Sequence, residues 1–251
     1  MAELPASVRA ALWVTHAWSG GPTLTEAVRR ALPDVDHTEG LEEQVALWHD
    51  LGESALLVAL PGPGDVTGLP RSGPVATAAA VEAGEALFVP ALGGLLVPEH
   101  STYGSTGAQA HRIDWMAHDA DPVAPHVLEA LDPAQVERQL RRHMLSAIDV
   151  LDAVGGSPWA ADLTRDLVDD RLGQDWALPP ALPERAHKVI GLAATISLAA
   201  SVGLETSGTL SAAHEENRSR ALRALHRDAE RALADSTNAA CAAIAGWVPA
   251  R

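Results

Sequence analysis

Apolar positions along the chain follow helical spacing at both ends and strand-like runs in the middle of the first half. Leu12, Val14 and Trp18 lie in a segment of about 6–18 that reads as a helix, and Gly20-Gly21-Pro22 breaks it. Thr23 or Thr25 can cap a second helix over about 24–32, which Pro33 ends. Leu41, Val45 and Trp48, spaced four and three apart, predict a third over about 40–51. The short apolar run Ala55 to Leu60, bounded by turn residues, predicts a buried strand. Pro61 to Pro74 carries four prolines and four glycines and reads as a loop, followed by a short Ala-rich helix from Ala76 to Ala83. Residues 86–89 and 95–97 predict two strands joined in a hairpin-like manner through Pro90 to Gly94. Ser101 to Gly107 then reads as a glycine-rich loop, and the alternating His111 to Ala117 as an edge strand.

Beyond residue 130 the pattern is helical. Asp132-Pro133-Ala134-Gln135 combines an N-cap, a proline at the first helical position and a capping-box glutamine. Val136, Leu140, Met144, Ile148 and Leu151 mark one face of the helix that follows, until Gly155-Gly156. Ser157-Pro158 opens another helix, with Leu163, Leu167 and Leu172 inside and Gly173 past its end. Prolines 179, 180 and 183 separate it from helices over about 184–204 and 209–246. The expected fold is α+β. A small, mostly antiparallel sheet with flanking helices (1–130) packs on a C-terminal antiparallel helical bundle (131–251), as two domains or one continuous globular domain.

Composition sharpens that division. Residues 1–130 hold 24 of the 37 Gly and Pro residues and 17 acidic against 5 basic side chains; residues 131–251 hold 16 acidic against 13 basic. A formal charge of −15 argues against nucleic acid, whose phosphates need Lys and Arg to displace counterions, and against an anionic membrane surface. The basic residues are seventeen Arg and one Lys, and Ala is about a fifth of the chain, a bias that fits a high-GC bacterial genome. The single Cys241 lies among alanines and is expected as a buried thiol in a reducing compartment. Met1-Ala2-Glu3-Leu4-Pro5 shows no signal-peptide pattern, and the apolar stretch Val189 to Leu204 is short for a membrane span, so a cytoplasmic protein is expected.

Candidate chemistry is sparse, with no nucleotide loop, hydrolase elbow or zinc signature in the sequence. The densest set of potential ligands is His111 to Asp121, with His126 beyond it. On a strand, Asp114 and His118 share a face and form a workable pair for a divalent metal, while an exposed edge strand would use the same residues to blunt pairing. Asp162, Asp166 and Asp169 share a helical face, with Asp170 beside them, and suit either Mg²⁺ or a solvated surface. Pro61 to Gly68 could cradle an anion or simply form a rigid turn. Glu99-His100-Ser101 offers acid, base and hydroxyl in a row, although such groups work only when assembled in space. Arg220, Arg223, Arg227 and Arg231 make a basic stripe on the last helix, interleaved with Glu215, Glu216, Asp228 and Glu230. Trp13, Trp48 and Trp247 fall on apolar faces and are expected in the core, while Trp115, Trp159 and Trp176 are not placed by pattern.

The leading expectation for function is therefore a non-enzymatic cytosolic module for binding or regulation. The alternative is a metal-assisted, hydrolase-like enzyme that uses Asp114, His118 and a nearby carboxylate of the His111–Asp121 region to activate water. A third is capture of a small molecule in the crevice between the two parts. Gly191, Thr195, Ala199 and Gly203 form a ridge of small residues on a helix apolar nearly all round. That helix is central to its own bundle, or its remaining face is covered in a homodimer.

Overall fold

The computed structural model describes residues 4–105, 107–154, 178–205 and 212–247. Helices α1 (Ala6–Trp18), α2 (Leu24–Ala31) and α3 (Leu41–Asp50) open the chain, with the short strand β1 (His37–Glu39) between the last two. Then come β2 (Leu57–Ala59), α4 (Pro74–Ala83), β3 (Ala86–Phe88), β4 (Leu95–Ser105), β5 (Ala108–His118) and a short α5 (Pro125–Glu129). The second half contributes α6 (Pro133–Val154), α7 (Glu184–Glu205) and α8 (Ala212–Ile244). The fold is mixed α+β, with the sheet in the N-terminal half and packed helices in the C-terminal half. The helix expected over 157–172, with its four aspartates and Trp159, lies outside the described residues, as does Trp176.

The five strands run in the order β1-β5-β4-β3-β2, antiparallel except for the parallel β1–β5 pair. Two sequence expectations change here. Ser101 to Ser105 is not a loop but the outer half of β4, paired with β5 as far as Ser105 opposite Ala108. Residues Glu99–Ser105 are all exposed, so no alternation of apolar side chains announces them. Nor is β5 an edge strand: β1, only three residues long and without a buried residue, lies alongside Arg112–Asp114.

Packing follows from the apolar faces. Leu12, Val14, Val8 and the strand residues Leu57, Leu87, Leu95 and Leu96 are fully enclosed, and one apolar cluster runs from them into Leu140, Ile190 and Leu233 of the second half. On α6 the inner face is Val136, Leu140, Met144 and Ala147, while Ile148 is 43% exposed. Steps of four drift 40° each around a helix, so a step of three must intervene, and it brings Ala147 inside. Trp247 lies past the end of α8 and is exposed rather than in the core, its Nε1 donating to Ser54 Oγ at 3.0 Å. Trp13, Trp48 and Trp115 are buried. By length and composition α7 could cross a membrane, and 44% of its most apolar window is buried against protein.

The free edge of β2 decides where the helices sit. Leu56 and Val58 turn their amides away from β3, and among the described residues no strand continues the sheet on that side. Thr15 of α1 meets Leu56 instead: its Oγ1 accepts from the Leu56 N–H at 2.9 Å and donates to the Leu56 carbonyl at 3.3 Å. Asn238 of α8 does the same one pleat further on, accepting from the Val58 N–H at 2.8 Å and donating to the Val58 carbonyl at 2.9 Å. Elsewhere the buried Glu53 carboxylate accepts from the Ala91 and Leu92 amides and fixes the β3–β4 turn. There the Gly93 Cα packs so closely on the Ala120 carbonyl that a side chain would lie 2.2 Å from its oxygen.

Asn238→Ala strands both Val58 backbone groups in a buried site, each a penalty of about 1–3 kcal/mol. Denaturant unfolding is expected to show a loss of about 3 kcal/mol, and a loss below about 1 kcal/mol would mean that water replaces the amide.

Candidate functional site

The chain leaves β2 directly into the loop the sequence singled out. Pro61 is followed by a tight turn in which the Gly62 and Asp65 backbones exchange hydrogen bonds at 2.8 and 2.9 Å. Pro63 and Gly64, the latter at φ +80°, take the central positions that a type II turn assigns to proline and glycine. Asp65 then works at both ends. One carboxylate oxygen accepts from the Thr67 amide at 3.0 Å, and the other meets Arg231 of α8 at 2.7 Å. These bonds, with Arg231 nearby, hold its carboxyl below the usual range.

Beneath this loop lies a crevice of about 360 Å³. Its walls are the loop, Val58 and Leu60 at the end of β2, Val81 and Gly84 of α4, and a face of α8 from Arg223 to Asn238. The proline-glycine loop and the arginine stripe, separate in sequence, thus form one site. Within the stripe the arginines differ. Arg220 pairs with Glu216 and Arg231 with Asp65. Arg223 and Arg227 line the crevice, are exposed, and make no ion pair or hydrogen bond among the described residues. An (i, i+4) pair of like charges is mutually repulsive, and an anion between them would relieve that repulsion.

The carboxyls of the crevice are unusual in the opposite sense. Burial pushes Asp235 up to about 6, only partly relieved by Arg231, and it makes no hydrogen bond or ion pair among the described residues. Burial also raises Glu230, whose Oε1 accepts the Ser197 hydroxyl from α7. The same Ser197 Oγ lies 3.0 Å from His226 Nδ1. Ser197 is buried behind the wall and does not line the crevice, so this group orients His226 and Glu230 rather than presenting a nucleophile.

The other sequence candidates are dispersed. Asp114 is gripped by Arg112 Nε at 2.8 Å, which holds its carboxyl below the usual range. His118 lies four positions along, past the exposed Met116, in a shallow pocket with Trp48, Gly93 and Asp119. Among the described residues, no three His, Cys, Asp or Glu side chains gather as a metal set. His100 pairs with the buried Glu85 at 2.9 Å, not with its neighbour Glu99, and that bond raises the imidazole above its ordinary value. Glu85 in turn accepts from Ser7 N and Oγ, so it anchors the start of α1. His126 sits exposed on α5. Cys241 is fully buried and its thiol is pushed up to about 12, as a packing residue.

Two family models match the chain in succession, the Rv1486c-like protein N-terminal domain over residues 7–130 and the Rv1486c-like protein C-terminal domain over residues 134–234. The chain belongs to the Rv1486c-like proteins. No curated protein and no solved structure matches it. In this Rv1486c-like chain the crevice draws on both matched regions, the loop from the first and Arg223 to Ala234 from the second.

An acid whose folded pKa exceeds its unfolded value near 3.8 binds more protons folded than unfolded, so it costs stability as pH rises. For Asp235 the cost is absent below the unfolded value and complete above about 6. Asp235→Asn is expected to stabilise the protein at slightly alkaline pH by about 3 kcal/mol, with the gain vanishing towards acid. Unfolding midpoints across that range check it; a pH-independent difference would refute the assignment.

Proposed function

We propose that this protein is a non-enzymatic module that binds a small organic anion in the crevice between the Pro61–Gly68 loop and α8. The observation that carries this is the pair Arg223 and Arg227, two guanidinium groups without a partner among the described residues, on the wall of a crevice in a chain of net charge −15. Planar guanidinium forks suit carboxylate and phosphate, and the preceding turn of α8 supplies no acid to neutralise Arg223. Leu60, Pro61, Pro63, Val81 and Ala234 give the site an apolar lining, as small-molecule pockets have. A cytoplasmic setting suits the free, buried Cys241.

Millimolar succinate or inorganic phosphate is expected to raise the thermal midpoint by about 3–5 °C, the response to occupancy near ten times Kd. The double variant Arg223→Ala/Arg227→Ala should lose that response while unfolding like the parent. A shift that survives in the double variant, or none with either anion, would overturn the site.

We also propose a homodimer that uses helices of the second half. Leu145 and Ile148, three residues apart on α6, expose apolar side chains, and Leu192 and Leu198 of α7 are only partly covered. Gly203, part of the small-residue ridge, faces Leu222 within the chain, so that end of the ridge already serves the α7–α8 contact. Light scattering after size exclusion should give twice the 26.2 kDa chain mass; a monomer across a wide concentration range would remove the dimer.

A further inference from the structure

Opposite charges, without hydrogen bonds or ion pairs among the described residues, line the two ends of the crevice. Arg223 and Arg227 stand at one end of the lining face of α8, and Asp235 near the other, next to Asn238. Arg227 and Asp235 are eight residues apart, hence about 12 Å along the helix axis. The charged groups between them already have partners: Arg231 is ion-paired with Asp65 at 2.7 Å, and Glu230 accepts the Ser197 hydroxyl. The rest of the lining is largely apolar, with Leu60, Pro63, Val81 and Ala234, and Thr67 and His226 add its other polar side chains. Asp235 is therefore a carboxyl in a largely enclosed site without a hydrogen-bonding partner among the described residues. A simple anion would satisfy the arginines and leave Asp235 as it is, or repel it.

We infer that the ligand is an extended dipolar molecule, with an anionic group at Arg223 and Arg227, an apolar middle, and a primary ammonium or similar cationic donor at Asp235. This presupposes the anion site proposed above and adds the second pole. The cationic end would give Asp235 the hydrogen-bonding partner it lacks among the described residues and make the buried acid one half of an ion pair. Specificity would come from the length between poles. A short amino acid reaches only one of them, and a fatty acid leaves the acidic end empty.

Calorimetric titration of the full chain with three probes of matched length tests this: ω-aminooctanoate, octanoate and octylammonium. The expected order has ω-aminooctanoate binding about tenfold tighter than octanoate, a difference of about 1.4 kcal/mol, with octylammonium weakest. Asp235→Asn should bring ω-aminooctanoate down to the level of octanoate and leave octanoate unchanged or improved. Because that variant is expected to be more stable than the parent, its loss of affinity could not be ascribed to misfolding. Arg223→Ala/Arg227→Ala should abolish binding of both carboxylates. Equal affinity for octanoate and ω-aminooctanoate, insensitive to Asp235→Asn, would overturn the dipolar ligand and leave the anion site standing. Binding of octylammonium above both carboxylates, or no binding of any probe at about 10 mM, would overturn the two together.

Discussion

A sheet cannot leave its edge amides unpaired in a buried place, and in this fold the edge in question is β2. Thr15 and Asn238 resolve the conflict by acting as a surrogate strand. Each offers a donor and an acceptor to one outward-facing residue, Leu56 or Val58. The two side chains come from opposite ends of the chain, so this edge fixes α1 and α8 against the sheet together. The fully buried Cys241 adds to the junction through its contact with Thr15. Since the Pro61–Gly68 loop begins two residues after β2, the docking of Asn238 also determines which face of α8 the loop overhangs. The site's location follows from an edge-satisfaction problem rather than from the loop's own conformation.

Much of the fold was legible because burial imposes a period. Leu41, Val45 and Trp48 predict α3, and Asp132 caps α6 as its sequence implies, accepting from the Ala134 amide at 3.0 Å. The misreadings occur where burial is absent or shifts. Glu99 to Ser105 form a strand through ladder hydrogen bonds alone, with glycine and serine where a buried strand would show apolar residues. β1 is three residues held beside β5 and shows no apolar pattern at all. Trp247, apolar by type, falls beyond the last turn of α8 and so loses the face that would have covered it.

The crevice was less legible, although both of its walls had been singled out. Its halves meet only in three dimensions, Asp65 and Arg231 being 166 residues apart. The arginine stripe looked neutralised because acids are plentiful on α8, yet pairing depends on position. Arg220 has Glu216 four residues before it, whereas Arg223 has no acid at three or four residues on either side. Arg227 has Glu230 at three, but Ser197 engages that carboxylate from α7. The first of these facts could have been read from the sequence; the second required the α7–α8 interface. The acidic composition is true of the surface in bulk and uninformative about this groove.

The clasp between Asp65 and Arg231 joins the overhanging loop to α8 by one ion pair, and Arg231 is 44% exposed there. Such a contact is screened at moderate ionic strength and contributes little to rigidity. The turn itself is stiff, being built on Pro63 and two internal backbone bonds, so weakening the clasp would lift the loop as a body rather than unravel it. Salt therefore acts on this molecule at two places with opposite results. It would screen Arg223 and Arg227 from the anion proposed for them, and it would loosen the loop on the opposite wall, so access to the crevice would grow freer as the proposed attraction declines.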